Sequence, residues 1–283
     1  MFFVSTTFLK DNNSIYKAIR LLKKNKINNI ELGSNHSYEK NYYELKNYNA
    51  NYCVHNYFPI PKKSFVINIA SRNKNIRKKS LRHIKNSIKF SKKINAKLYT
   101  FHPGFLTDPD GSNLSKKNYD FLWDKKKLLA SNYNKSWKLM ISAIRKIIKF
   151  AKKEKVRIAI ETEGSISSKN HLLMQRPYEY KKFFKIFKKK DIGVNLNIGH
   201  LNLASIAFKF NKMKFVNDIS KRIVAMELSH NYGTKDDHLP IKKKSWYWKI
   251  IKSNKFKTIP KILEFRDTNI KIIKRTYLLV NKV

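Results

Sequence analysis

Short runs of β-branched and aromatic residues alternate along the chain with longer stretches whose apolar side chains recur every three or four positions. The short runs have the look of buried strands and the longer ones of amphipathic helices. Strands are predicted near Phe2–Ser5, Asn29–Leu32, Tyr52–His55, Lys97–His102, Arg157–Glu161, Gly193–Asn197, Arg222–Leu228 and Lys261–Phe265. The segment Ile141-Ser-Ala-Ile-Arg-Lys-Ile-Ile-Lys-Phe150 shows the helical pattern, with isoleucine on one side and lysine on the other. Eight such β-α units in 283 residues predict one α/β domain spanning the whole chain, a closed (β/α)8 TIM barrel. The third connection, Arg72 to Ile94, contains one long basic helix. The fourth, from Pro103 to Glu154, is the longest; its turn-rich start, through Asp108-Pro-Asp-Gly111 to Leu122, is long enough to cover a site.

Composition narrows the class. Hydrophobic residues make up 42%, enough for a sizeable core. No apolar stretch approaches the roughly 18 to 20 residues that a spanning helix needs, so no membrane partner is expected. The start, Met1 to Lys10, lacks the charged region of a secretory signal and reads as the first strand. Cys53 is the one cysteine, which rules out a disulfide framework within the chain. A cytoplasmic enzyme is the natural expectation.

The formal charge of +43 admits two readings. One is a polyanion partner such as nucleic acid. The other is a lysine-rich composition in which lysine fills solvated faces. The cations Arg77 to Lys79, Arg82, Lys85, Lys89, Lys181, Lys182, Lys185 and Lys188 to Lys190 fall on predicted outer helices and spread around the molecule, which favours the second.

Against that background the acids stand out, 19 against 62 basic residues. Glu161 closes Ile158-Ala-Ile, Glu227 closes Val224-Ala-Met and Glu264 closes Ile262-Leu. A buried carboxylate is costly alone, and a cation compensates several at once. With Asn197, these residues place four oxygen-bearing side chains at the ends of strands five to eight, a set suited to Mn²⁺, Mg²⁺ or Zn²⁺. The bland alternative is pairing with a barrel lysine or arginine. His200 follows Asn197 by three positions, and the Asp-x-His spacing of Asp236 and His238 lets both side chains reach one ion. His55 and His102 sit at strand ends, where a histidine binds metal or substrate or simply hydrogen-bonds into the core. His36 and His230 lie near strand ends but suit solvated loops equally well; Glu31 has the choice of anchoring substrate or pairing with a cation. His83 and His171 suggest no role.

The segments Val54-His-Asn-Tyr-Phe-Pro59, Phe101-His-Pro-Gly104, Ile160-Glu-Thr-Glu-Gly164, Leu196-Asn-Ile-Gly-His200, Glu227-Leu-Ser-His-Asn-Tyr-Gly233, Asp236-Asp-His-Leu-Pro240 and Leu263-Glu264 together resemble the xylose isomerase-like barrel superfamily. That superfamily holds sugar isomerases and epimerases and also endonuclease IV-type abasic-site nucleases. The resemblance implies a principal metal held by Glu161, Asn197, Glu227 and Glu264, although the family pattern has Asp at 197 and His at 227. It also implies further zinc positions at His200, Asp236 and His238, and at His55, His102 and Glu161. Where relatives often carry a glycine-rich segment, this chain reads Pro240-Ile-Lys-Lys-Lys244, which suits an anionic substrate.

Two activities follow from the resemblance. The first is a metal-dependent sugar or sugar phosphate isomerase or epimerase, in which Glu161 and Glu264 move protons through an enediolate while His55, His102, His230 and Lys242 contact substrate. Its partner is a carbohydrate, anionic in the phosphate version. The alternative is a zinc-dependent abasic-site nuclease using the same ligands, for which nucleic acid is the partner. The changes at 197 and 227 and the lack of an arginine in Gly33-Ser-Asn-His-Ser-Tyr38 count against it. The oligomeric form is open, a homo-oligomer included.

Overall fold

The computed structural model describes residues 1–9, 13–109, 111–113, 120–122, 126–127, 130–164 and 172–282. Eight parallel strands, β1 (Phe2–Ser5), β2 (Asn29–Leu32), β3 (Asn51–His55), β4 (Tyr99–Phe101), β5 (Ile158–Glu161), β6 (Gly193–Asn197), β7 (Ile223–Leu228) and β8 (Lys261–Leu263), close into a barrel. Each strand pairs with its neighbours in sequence, and β8 returns to β1. The expected strands are thus present, several of them shorter than their apolar runs. A two-stranded antiparallel ribbon, Gly111–Asn113 with Asp120–Leu122, interrupts the fourth connection. The rest of that predicted covering segment from 110 to 122, and His171, lie outside the described residues.

Helices α1 (Ile15–Lys24), α2 (Lys74–Lys93), α3 (Tyr133–Glu154), α4 (Pro177–Ile186), α5 (Ile198–Ala207), α6 (Lys212–Ile219), α7 (Trp248–Ile251) and α8 (Ile270–Asn281) occupy the connections between strands and follow the last. Asparagine serves repeatedly as the N-cap: the side chains of Asn73, Asn132, Asn211 and Asn269 each accept a backbone N–H from the first turn. Lysines in the last turns of α1, α2 and α3 meet the negative end of the helix dipole. Lys188 to Lys190 fall beyond α4, because Phe187 is already extended and ends the helix. No described helix is long and apolar enough to cross a membrane.

The interior of the barrel has two layers, and the period of two along a strand creates them. Phe3, Cys53, Leu98, Ala159, Val224, Ala225 and Ile262 form a compact apolar plug, separate from the main core between strands and helices. Two residues further along come Ser5, His55, Glu161 and Glu227 on the same strands, and Glu264 just past the end of β8. Cys53 therefore points to its own face as His55 does, and Ala159 as Glu161 does. The plug lies below the polar layer, which stands at the C-terminal ends of the strands, the end where barrel enzymes place their chemistry.

Candidate metal centre

Glu161 is the hub of the polar layer. It is 1% exposed, and three histidine rings approach its carboxylate. His200 Nδ1 lies 3.1 Å from Oε1, while His55 Nδ1 lies 3.6 Å and His102 Nε2 3.8 Å from Oε2. Burial alone would raise this carboxyl; the charges of His102, His55 and His200 hold it below the usual range. Glu161 can occupy this place because β5 pairs with β6 in the register Glu161↔Asn195, which brings Asn197 one step further up the mouth.

Each histidine is held by its other contacts. His200 Nδ1 also lies 3.0 Å from Thr162 O, and its Nε2 lies 3.3 Å from Asp236 Oδ2. His238 Nε2 meets the same Asp236 oxygen at 2.7 Å, and its Nδ1 lies 3.2 Å from Glu264 Oε2. His102 Nδ1 pairs with Glu163 Oε1 at 2.6 Å, and His55 Nδ1 with Thr100 Oγ1 at 2.8 Å. A continuous path of charged groups therefore runs Glu264–His238–Asp236–His200–Glu161–His102–Glu163 around the mouth. Burial opposes charge on His102 and His238, yet the carboxylates beside them raise both to about 9. Burial dominates at His55, which is lowered despite Glu161. At Glu264, His238, Arg266 and His55 overcome burial and lower the carboxyl.

Gly164 permits this closeness. A Cβ there would lie 2.0 Å from the His200 carbonyl oxygen, so any side chain would push α5 and His200 away from β5.

Asn197 is placed differently from a fourth oxygen ligand. Its Nδ2 donates to Glu161 Oε1 and to Glu227 Oε2, each at 2.9 Å, while its Oδ1 accepts the His200 backbone N–H and caps α5. The oxygen is committed to the helix and the NH₂ bridges two carboxylates. Asn195 Nδ2 donates to Glu227 Oε1 at 2.7 Å, so two amides grip Glu227. Burial and the neighbouring Glu161, Glu264 and Glu31 push the Glu227 carboxyl well above its ordinary value.

Lys242 and His230 stand apart from this ring. Lys242 bonds the Tyr232 hydroxyl through Nζ and lies over that ring at 4.4 Å. His230 contacts Tyr232 edge-on and lies 3.4 Å from the Tyr247 hydroxyl through Nδ1. Neither forms a hydrogen bond or ion pair with the carboxylate–histidine ring among the described residues. Both belong to the loop after β7 that also carries Asp236 and His238, so they border the mouth. His36 is buried between Thr6 Oγ1 and Asn13 O, and His83 packs on Tyr57 and Phe65; both are structural placements.

The donor set fits a divalent ion. Glu161 Oε2, Asp236 Oδ1, His238 Nδ1 and Glu264 Oε2 are buried without a hydrogen-bond partner, an unusual state for native polar atoms and an ordinary one for metal ligands. Ligand atoms of His55, His102 and Glu161 lie within 4.8 Å of one another, as do those of His200, Asp236 and His238 and those of Glu31, His55 and Glu227. Sequence reasoning overlooked Thr100, Thr162 and Asn195 and left Glu163 without a role. Asn195 carried a signal: Val194-Asn-Leu-Asn197 alternates polar and apolar in a strand that is otherwise buried.

Residues 27–277 match the xylose isomerase-like TIM barrel family, and the chain belongs to it. No curated protein sequence matches the chain. Among solved structures it is similar to a D-tagatose 3-epimerase-like protein, with a TM-score of 0.72 at 20% identity over 99% of this chain and 98% of that one. It is also similar to D-psicose 3-epimerase from Clostridium cellulolyticum, solved with D-tagatose, with a TM-score of 0.68 at 13% identity, covering 99% and 96%. A Thermus thermophilus protein soaked with ZnCl₂ gives a TM-score of 0.60 at 11% identity, covering 100% and 98%.

Proposed function

We propose that the protein is a metal-dependent sugar isomerase or epimerase that relocates a proton beside a carbonyl. The observation that carries this reading is the pair Glu161 and Glu264. Both are buried, both are held ionised by histidines, with Arg266 also acting on Glu264, and they stand at the end of β5 and just past the end of β8 in the same polar layer. Removal of a proton next to a carbonyl needs a positioned base, and its return to the other carbon or the other face needs a second group. Either carboxylate fills the first role, with the other returning the proton. The epimerase names of the similar structures agree with this chemistry.

Glu161, Glu264, Asp236, His102, His200 and His238 would hold the ion, and Glu227 and Asn197 would set its surroundings. A bound divalent ion supplies charge stabilisation for the enediolate oxygen and orients the substrate hydroxyls. The protein's own part is geometric. His102 and His200 fix the Glu161 carboxylate, and His238 fixes Glu264. His55 faces the substrate's hydroxyls, and His230 and Lys242 meet its distal end, with Lys242 favouring an anionic group.

The nuclease reading is supported by one feature, the two intact histidine-rich groups. The Asn197 amide lies between Glu161 and Glu227, at the position where multi-ion phosphodiester chemistry needs another anionic ligand. The epimerase reading is therefore favoured.

Assays of ketose epimerisation and of abasic duplex cleavage, each with and without chelator and with Mn²⁺ or Zn²⁺ restored, test the choice. The reading expects metal-restored epimerisation and no cleavage. Cleavage without epimerisation overturns it.

A further inference from the structure

The polar layer contains one carboxylate that the proposed chemistry does not use. Glu31 on β2 is 1% exposed, and neither of its oxygens has a hydrogen-bond partner of full geometry; the Ser5 hydroxyl on β1 is the polar side chain that helps to hold the carboxylate. Such a group is costly to bury unless it holds a proton or meets a cation. Glu227, 0% exposed, lies across the barrel from it, and no lysine or arginine forms an ion pair with either among the described residues. His55 Nδ1 lies 3.4 Å from Glu227 Oε1. One ligand atom from each of Glu31, His55 and Glu227 falls within a 4.8 Å circle, the spacing of donors around a single ion.

We propose that Glu31, His55 and Glu227 form a separate divalent cation site at the floor of the mouth, directly above the apolar plug. Two carboxylates and one imidazole make an oxygen-rich set that suits Mn²⁺. The His200, Asp236 and His238 group is richer in nitrogen and suits Zn²⁺. Asn195 and Asn197 have a defined part here: their amides donate to both Glu227 oxygens and hold that carboxylate toward the floor. The site stands independently of the sugar reading, since it concerns which residues bind the ion and not what the ion acts on.

The test is Mn²⁺ titration of chelator-stripped, full-length protein, following the free-ion signal by electron paramagnetic resonance. Wild type is compared with Glu31→Gln, His102→Ala and His238→Ala, with folding checked by circular dichroism. The site predicts that Glu31→Gln weakens the tightest Mn²⁺ binding by at least about 100-fold, because a direct ligand should exceed the 10- to 100-fold effect typical of supporting residues. His102→Ala and His238→Ala should leave that binding within about threefold of wild type. If Glu31→Gln fails to fold, Glu31→Asp, one methylene shorter, should weaken Mn²⁺ by at least about tenfold. Unchanged Mn²⁺ affinity in the folded Glu31 variant overturns the site. So does loss of that affinity in His102→Ala or His238→Ala, which would locate the ion at the rim. Neither result bears on whether the protein epimerises sugars, which the activity assay reads separately.

Discussion

Asn197 donates its amide N–H to Glu161 Oε1 at 2.9 Å and so holds the hub carboxylate of the mouth without adding charge to it. Its second amide hydrogen does the same for Glu227. Asn197→Asp removes both donors and places a third carboxylate against two others. The expected outcome is a metal-free protein destabilised by about 3–5 kcal/mol, the scale of an uncompensated buried charge. Added Mn²⁺ or Zn²⁺ should raise its melting temperature more than that of wild type. Thermal melts with chelator and with metal check this; equal melting of the two proteins in chelator contradicts it.

Glu161→Gln and Glu264→Gln keep shape and remove the proton acceptor. Each should lower kcat for epimerisation by about 10²- to 10⁴-fold, the usual contribution of a positioned acid or base. KM should move far less. Steady-state kinetics on metal-loaded enzyme separate the two, and a variant with full kcat removes its residue from the chemistry.

Histidines 102 and 238 are raised to about 9 from an ordinary 6.5. Their ion pairs therefore contribute stability that is complete below about pH 6.5 and lost as pH climbs through about 9. Glu161 and Glu264 are lowered, so their contribution is present above the ordinary carboxylate range and lost in acid. The denaturant midpoint of metal-free protein should fall between pH 6.5 and 9. Metal binding needs those rings unprotonated, so it should release protons and tighten over the same interval. Calorimetry in buffers of different ionisation enthalpy measures the protons released; zero release would show that these histidines do not meet the ion.

Lys242 borders the mouth and is held over Tyr232 rather than against a carboxylate. If it meets an anionic end of the substrate, Lys242→Ala should raise KM for a sugar phosphate about tenfold and leave KM for the unphosphorylated sugar unchanged. Parallel kinetics on the two substrates decide the matter.

Much of the barrel is legible in the chain because strand periodicity and buried runs are local properties. The run Ile158-Ala-Ile-Glu161 tells of a strand and of an acid at its end without any knowledge of neighbours. Strand lengths are less legible: Lys97–His102 narrows to Tyr99–Phe101 because ladder partners, not apolar character, decide where pairing stops. The ribbon Gly111–Asn113 with Asp120–Leu122 is hidden among turn-forming residues. At the site, residues 55, 102, 161, 200, 227, 236, 238 and 264 are readable as candidates, since each is a polar residue at a strand end or in the loop or first helical turn that follows. What Asn197 does with its amide is not readable. That depends on Glu161 and Glu227 one strand to either side, and on a helix start that claims its oxygen. The grouping of Glu31 with His55 and Glu227 is equally invisible, because it depends on which strands the closed barrel brings together.

In the proposed reaction Glu161 and Glu264 carry a proton on and off a carbon next to a carbonyl. Incubating metal-loaded protein with a ketose in D₂O and following deuterium at the carbon beside the carbonyl by proton NMR tests it most directly. Wild type should incorporate deuterium, and the incorporation should stop in chelator and fall by at least about 100-fold in Glu161→Gln and Glu264→Gln. Sugar turnover that proceeds at the wild-type rate in both variants would contradict it.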